Sequence, residues 1–172
     1  TSLPFSVLAA DEESRAFWAG AMNFNNANNY VTTVKSMTAS NMTQMKWAYP
    51  LNATEISGGA YYAGQSVIVD GYLYATGGGK LHKVDIETGI GTIINEQAGN
   101  TTSYYDYLCY ADGILILTTQ DSLAAYSTDG ECIGSVSGTY GYYHPVQYHE
   151  GYVFCNGFIY KMEKTDNSVT FL

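Results

Sequence analysis

A ten-residue pattern that occurs three times limits what this chain can fold into more than any other feature. Gln65-Ser66-Val67-Ile68-Val69-Asp70-Gly71-Tyr72-Leu73-Tyr74 reappears as Tyr107-Leu108-Cys109-Tyr110-Ala111-Asp112-Gly113-Ile114-Leu115-Ile116. It returns as Pro145-Val146-Gln147-Tyr148-His149-Glu150-Gly151-Tyr152-Val153-Phe154. In each copy two apolar runs flank an acidic residue and a glycine. That pair predicts a tight hairpin, because glycine takes the positive φ that two-residue turns require. Gly71, Gly113 and Gly151 stand 42 and 38 residues apart, which leaves room for four short strands per unit.

The rest of each unit fits four strands. A second break falls at Gly77-Gly78-Gly79, Gln120-Asp121 and Asn156-Gly157. A third strand follows, matching Leu81 with Leu123 and Ile159, and Val84 with Tyr126 and Met162. A third turn spans Asp85 to Gly89, Ser127 to Gly130 and Lys164 to Asn167, where Gly89, Gly130 and Asn167 are types that tolerate a left-handed backbone. Fourth strands are expected at 92–94, 132–136 and 168–171. Four strands per unit with regular turns predict an all-β chain, and a helix is expected only around Thr38 to Met45, capped by Ser40 or Asn41.

The combination of an apolar strand, Asp-Gly, Tyr72-Leu73-Tyr74, Gly77-Gly78-Gly79, Lys80-Leu81-His82-Lys83-Val84-Asp85 and Glu87-Thr88-Gly89 resembles the blades of pyrroloquinoline-quinone-type (PQQ-like) β-propellers. The segment from Phe17-Trp18-Ala19-Gly20 through Asn25-Asn26-Ala27-Asn28-Asn29 to Met45-Lys46-Trp47-Ala48-Tyr49 is similar to the lead into the first blade of bacterial cell-surface members. The resemblance covers roughly residues 17 to 172 and implies a propeller-type array of about three four-stranded blades. These are placed at about 54–96, 97–138 and 139–172, after a lead of residues 1–46. It does not imply one activity, since this repeat serves enzymes, assembly scaffolds and surface proteins alike. Closed propellers need at least ~4 blades, so the expected ring is incomplete. Trp47-Ala48-Tyr49 is expected to be an outermost strand without inner strands of its own. Open blade faces would expose apolar surface and unpaired edges, so self-association or further blades are expected partners.

Composition narrows the setting. The 172 residues suffice for one core, and 46% of them are hydrophobic. A formal net charge of −9 would repel a phosphate backbone and an anionic membrane surface, which argues against nucleic acid as a partner. No apolar run approaches the ~20 residues that span a bilayer. Leu3 to Ala10 followed by Asp11-Glu12-Glu13 reads either as the tail of a signal peptide or as a short strand or disordered lead. Relatives at the cell surface favour export, and an extracellular or cell-surface location is the expectation. Asn41-Met42-Thr43, Asn52-Ala53-Thr54 and Asn100-Thr101-Thr102 are glycosylation sequons, which in a bacterial chain are polar turns.

No catalytic constellation emerges. Cys109, Cys132 and Cys155 lie in or beside expected strands, as buried thiols or as one disulfide with a spare thiol. His144 and His149 have opposite parity, which points them to different faces of a regular strand, so they suggest no metal site. Gly77-Gly78-Gly79-Lys80 lacks the spacing and the following Ser or Thr of a phosphate loop. Asp70, Asp85, Glu87, Asp112, Asp129, Glu150 and Glu163 fall nearly all in turns, where short carboxylates bond nearby amides. Quinone chemistry, the activity the repeat family most suggests, needs a complete ring, axial calcium ligands and commonly two adjacent cysteines, none of which this sequence supplies. No catalytic residue, metal or cofactor is expected.

One repeated feature stands where propellers bind ligands. Tyr61-Tyr62, Tyr104-Tyr105 and Tyr142-Tyr143 each precede the first strand of a unit, the last followed by His144. In a propeller the loops leading into the innermost strands converge on the central channel. Tyrosine offers a flat apolar face and a hydroxyl, suited to sugar rings and peptide segments. These rings either form a binding surface or pack between neighbouring blades. The leading expectation is a non-catalytic extracellular binding or adhesion module for glycans or peptides. The alternative is a structural piece that assembles with further blades, and a carbohydrate-active or redox enzyme comes third.

Overall fold

The computed structural model describes residues 47–51, 66–99, 106–138 and 145–172, and these contain strands and turns but no helix. The expected helix at 38–45, the Phe17 and Trp18 region, the Leu3 to Ala10 segment and all three tyrosine doublets lie outside the described residues.

Among the described residues, twelve strands form three four-stranded antiparallel sheets, each built from consecutive strands in chain order. The first sheet contains β1 (Val67–Val69), β2 (Tyr72–Gly77), β3 (Lys80–Asp85) and β4 (Gly91–Asn95). The second contains β5 (Tyr107–Ala111), β6 (Ile114–Thr118), β7 (Ser122–Tyr126) and β8 (Cys132–Ser137). The third contains β9 (Gln147–His149), β10 (Tyr152–Cys155), β11 (Phe158–Lys164) and β12 (Val169–Phe171).

The hairpins fall where the repeats put them. Asp70 and Gly71 have φ of 49° and 79°, Asp112 and Gly113 50° and 82°, Glu150 and Gly151 44° and 84°. Two successive positive φ values give the turn whose twist matches that of the flanking strands. The third turns are held by side-chain oxygens. Asp85 Oδ1 accepts from the Glu87 and Thr88 amides, Ser127 Oγ from Asp129 and Glu131, and Thr165 Oγ1 from Ser168. Gly89 and Gly130 are left-handed as expected, but Asn167 is not. A bond from Thr165 N to Ser168 O, 2.9 Å, closes that turn early, leaving no fifth residue that must take positive φ.

A second difference concerns register. Leu81 pairs with Thr76 and Leu123 with Thr118, but Ile159 pairs with Phe154. The Asn156-Gly157 turn follows β10 directly, so the hairpin is shorter and the third strand slips by two residues. Tyr160, not Met162, thereby takes the place of Val84 and Tyr126, opposite Val153. A slip of two keeps every side chain on its face, whereas a slip of one would have exchanged the faces.

The sheets stack face to face in chain order. Leu108, Leu115, Leu117, Ala124 and Tyr126 of the second sheet pack with Val67, Val69, Tyr74 and Leu81 of the first. The alternate residues, Cys109, Ala111, Ile114, Ile116, Leu123 and Ala125, pack with Val146, Tyr148, Val153, Cys155 and Met162 on the third sheet's side. The second sheet is therefore apolar on both faces, and all of β6 is buried. Each Ile or Leu so buried contributes roughly 1.5–3 kcal/mol relative to exposure. First strands neighbour one another along one side of the stack, β1 against β5 and β5 against β9, while β8 meets β12 on the other.

Candidate binding end and sheet junctions

β1, β5 and β9 all begin at the same end of their sheets, because each is followed by an antiparallel hairpin at Gly71, Gly113 or Gly151. The segments leading into them, 52–65, 100–105 and 139–144, hold Tyr61, Tyr62, Tyr104, Tyr105, Tyr142, Tyr143 and His144. All lie outside the described residues, so only the points where those segments rejoin the sheets are fixed. At that end lie the turns between second and third strands. Gly78 and Gly79 have φ of 60° and 79°, and Asn156 and Gly157 have 45° and 77°. In the second sheet Thr119 shapes the turn instead, its Oγ1 accepting from the Asp121 and Ser122 amides.

Two grooves open beside these turns. The first, about 420 Å3, runs between the 96–99 loop and the second sheet, from Asp121 to Cys132. Gly99 N donates to Gly79 O at 2.8 Å, holding the loop against its own sheet. The Tyr126 hydroxyl donates to Ala98 O at 3.4 Å, and burial, with Cys132 beside it, pushes that phenol up to about 12. Lys80 and Glu96 pair at 3.1 Å nearby. The second groove, about 410 Å3, lies on the third sheet between Pro145, Gln147, Phe154, Asn156, Phe158 and Ile159. Both offer apolar walls with hydrogen-bonding rims.

The buried Cys109 and Cys155 thiols and the His82 imidazole are shifted towards their uncharged forms. Burial pushes the Cys109 thiol up to about 12 and the Cys155 thiol up to about 11, the reverse of what a nucleophilic thiol needs. All three cysteines are free, and Cys132 is exposed. Buried His82 lies below its ordinary value, with desolvation the main cause. Its Nε2 donates to Gly77 O at 3.2 Å, which leaves Nδ1 to accept from the Tyr49 hydroxyl at 3.0 Å. No group of three or more His, Cys, Asp or Glu that could hold a metal occurs among the described residues, and no helix among them is long and apolar enough to cross a membrane.

Polar contacts also join the sheets. The Tyr148 hydroxyl donates to the carboxylate of Asp112, and Lys164 Nζ to the Asp112 carbonyl at 2.5 Å. One sheet earlier Tyr110 holds the place of Tyr148, and burial followed by the Asp70 charge raises its pKa. Lys83 reaches from the first sheet to Asp129 at 3.2 Å and to Thr128 O at 3.2 Å. The signal for the first of these contacts is the Tyr that recurs two residues before the acidic residue in the second and third repeats.

Residues 47–51 cover the outer face of the first sheet. Trp47 Nε1 donates to Ile86 O at 2.8 Å, and Tyr49 meets the His82 ring edge-on at 5.7 Å. A Cβ at Gly89 would strike Trp47 and one at Gly91 would strike Tyr49. Ile94 stands against Gly130 in the same manner, and Tyr126 meets the following Ala98. The 47–51 segment thus stands towards the first sheet as 94–98 stands towards the second. The outermost strand expected at Trp47-Ala48-Tyr49 does not form. The segment pairs with no strand among the described residues and is held by its side chains.

Comparison with known protein families, with curated protein sequences and with solved structures returns no match for this chain.

Proposed function

We propose that this chain is a propeller-type array acting as a non-catalytic binding module outside the cell or at its surface, with glycans or peptides as ligands. The observation that carries the reading is the succession of first strands, β1 beside β5 and β5 beside β9. That succession brings the points where the three tyrosine-bearing segments rejoin the sheets to one end of the stack. Radial packing of blades would produce such an order, with first strands innermost. Aromatic contacts are worth about 0.5–1.5 kcal/mol each, so several rings acting together are needed for useful affinity. The test is a double change, Tyr105→Ala with Tyr143→Ala, assayed on glycan and peptide arrays and by thermal melting. Loss of ligand with an almost unchanged melting temperature is the expected result. Retained binding, or a large loss of stability with no effect on any ligand, refutes the reading and assigns the rings to packing between sheets.

A further inference from the structure

The third sheet presents a face whose counterparts in the other two sheets are covered. Tyr152 and Phe154 pair with His149 and Gln147 as Tyr72 and Tyr74 pair with Val69 and Val67, and as Ile114 and Ile116 pair with Ala111 and Cys109. Tyr74, Ile114 and Ile116 are 2% exposed or less because the next sheet lies on them, whereas Tyr152 is 45% and Phe154 37% exposed. Ile159, cross-strand partner of Phe154, is 64% exposed on the same face. Lys161 and Glu163 pair at 2.6 Å beside them and leave the apolar patch uncovered.

A polar feature repeats alongside. In the first two units the acidic residue of the first hairpin acts on a tyrosine in the first strand of the following sheet: Asp112 accepts from the Tyr148 hydroxyl, and the Asp70 charge helps raise the pKa of Tyr110, which stands at the equivalent position. Glu150 is the third member of that series. Its carboxylate is 83% exposed, with His149 at 3.8 Å.

We propose that this face is a docking surface for a fourth sheet of the same repeat, one whose first strand carries a tyrosine directed at Glu150. A second copy of this chain fits less well. Its second and third sheets are already covered on the required face. Its first sheet carries Ile68 where Tyr110 and Tyr148 stand, and so has no hydroxyl for Glu150. That same face is occupied by Trp47 and Tyr49.

The experiment extends the full chain after Leu172 with a second copy of its own residues 97–138, which carries the required tyrosine. Lys161 acetylation read by mass spectrometry and binding of an apolar-surface dye are compared with and without the extension. The expected result is several-fold protection of Lys161, loss of dye signal and a higher melting temperature. Changing the added tyrosine to Phe, or Glu150→Gln, should remove part of the gain. Unchanged Lys161 labelling in an extension that gains β-sheet signal overturns the proposal. A second measurement needs no extension. Phe154→Ser with Ile159→Ser in the original chain should abolish dye binding and leave sedimentation and melting unchanged. A dimer that this double change dissociates overturns the proposal in favour of a second copy.

Discussion

Gly134→Ala isolates the contact between the outer strands of the second and third sheets. Gly134 lies within β8 opposite Ala125, and a Cβ there would strike the Val169 carbonyl oxygen and sit 2.8 Å from its carbon. Ordinary contact begins near 3.4 Å, and the obstructing atoms are backbone, so no side chain can swing aside. β8 and β12 must part to admit the methyl group, and Val169 belongs to the core that would be opened. Overpacking of this kind costs about 1–3 kcal/mol. At about 2–4 °C per kcal/mol for a chain of this size, calorimetry should show the melting temperature falling by several degrees. Gly157 provides the contrast. Nothing lies within 4 Å of the point a Cβ would occupy there, and its demand is a φ of 77°. Asparagine tolerates that backbone, so Gly157→Asn should be nearly silent and Gly134→Asn should be worse than Gly134→Ala. A Gly134→Ala protein that melts with the unsubstituted one refutes the close approach of the two sheets.

Thiol titration of the native protein should show one fast cysteine, Cys132, and two that react only in denaturant, since Cys109 and Cys155 are buried with thiols raised to about 12 and about 11; rapid reaction of all three would show that the core is open. His82 is held below its ordinary value by burial, so the unfolded chain takes up its proton more readily. Its contribution is complete above about pH 6.5 and is lost as pH falls below that value through the folded one. The urea midpoint should decline from pH 8 to pH 5, and His82→Gln should flatten the decline, whereas an unchanged slope would show that the ring is not held neutral.

The hairpins at Gly71, Gly113 and Gly151 were legible because an acidic residue followed by glycine carries its backbone requirement locally. The burial of the second sheet on both faces did not show, since the unbroken apolar run Ile114-Leu115-Ile116-Leu117 carries no polar alternation to mark a solvent face. The slip of β11 was not legible. It depends on where Asn156-Gly157 cuts the hairpin, and a shift of two leaves the apolar pattern looking correct. The role of Gly134 was hidden for another reason, because a glycine inside a strand tells of a close neighbour without naming it. Trp47 and Tyr49 read as part of an outermost strand, because nothing local shows their attachment to Ile86 and His82, 39 and 33 positions away.

The burial of the second sheet on both faces has a consequence for how the protein opens. Each sheet is made of neighbouring segments, and among the described residues the sheets meet in chain order, so stability is distributed along the stack as in repeat proteins. A sheet with two covered faces can expose its backbone only when a neighbour leaves, whereas one with a single covered face can open by itself. Amide exchange should therefore be slowest in β6 and fastest in β10, where exposed and buried residues alternate, and β11, where Met162 alone is buried. Unfolding should then begin at the third sheet and travel inward, with that end as the thermodynamic fuse of the molecule.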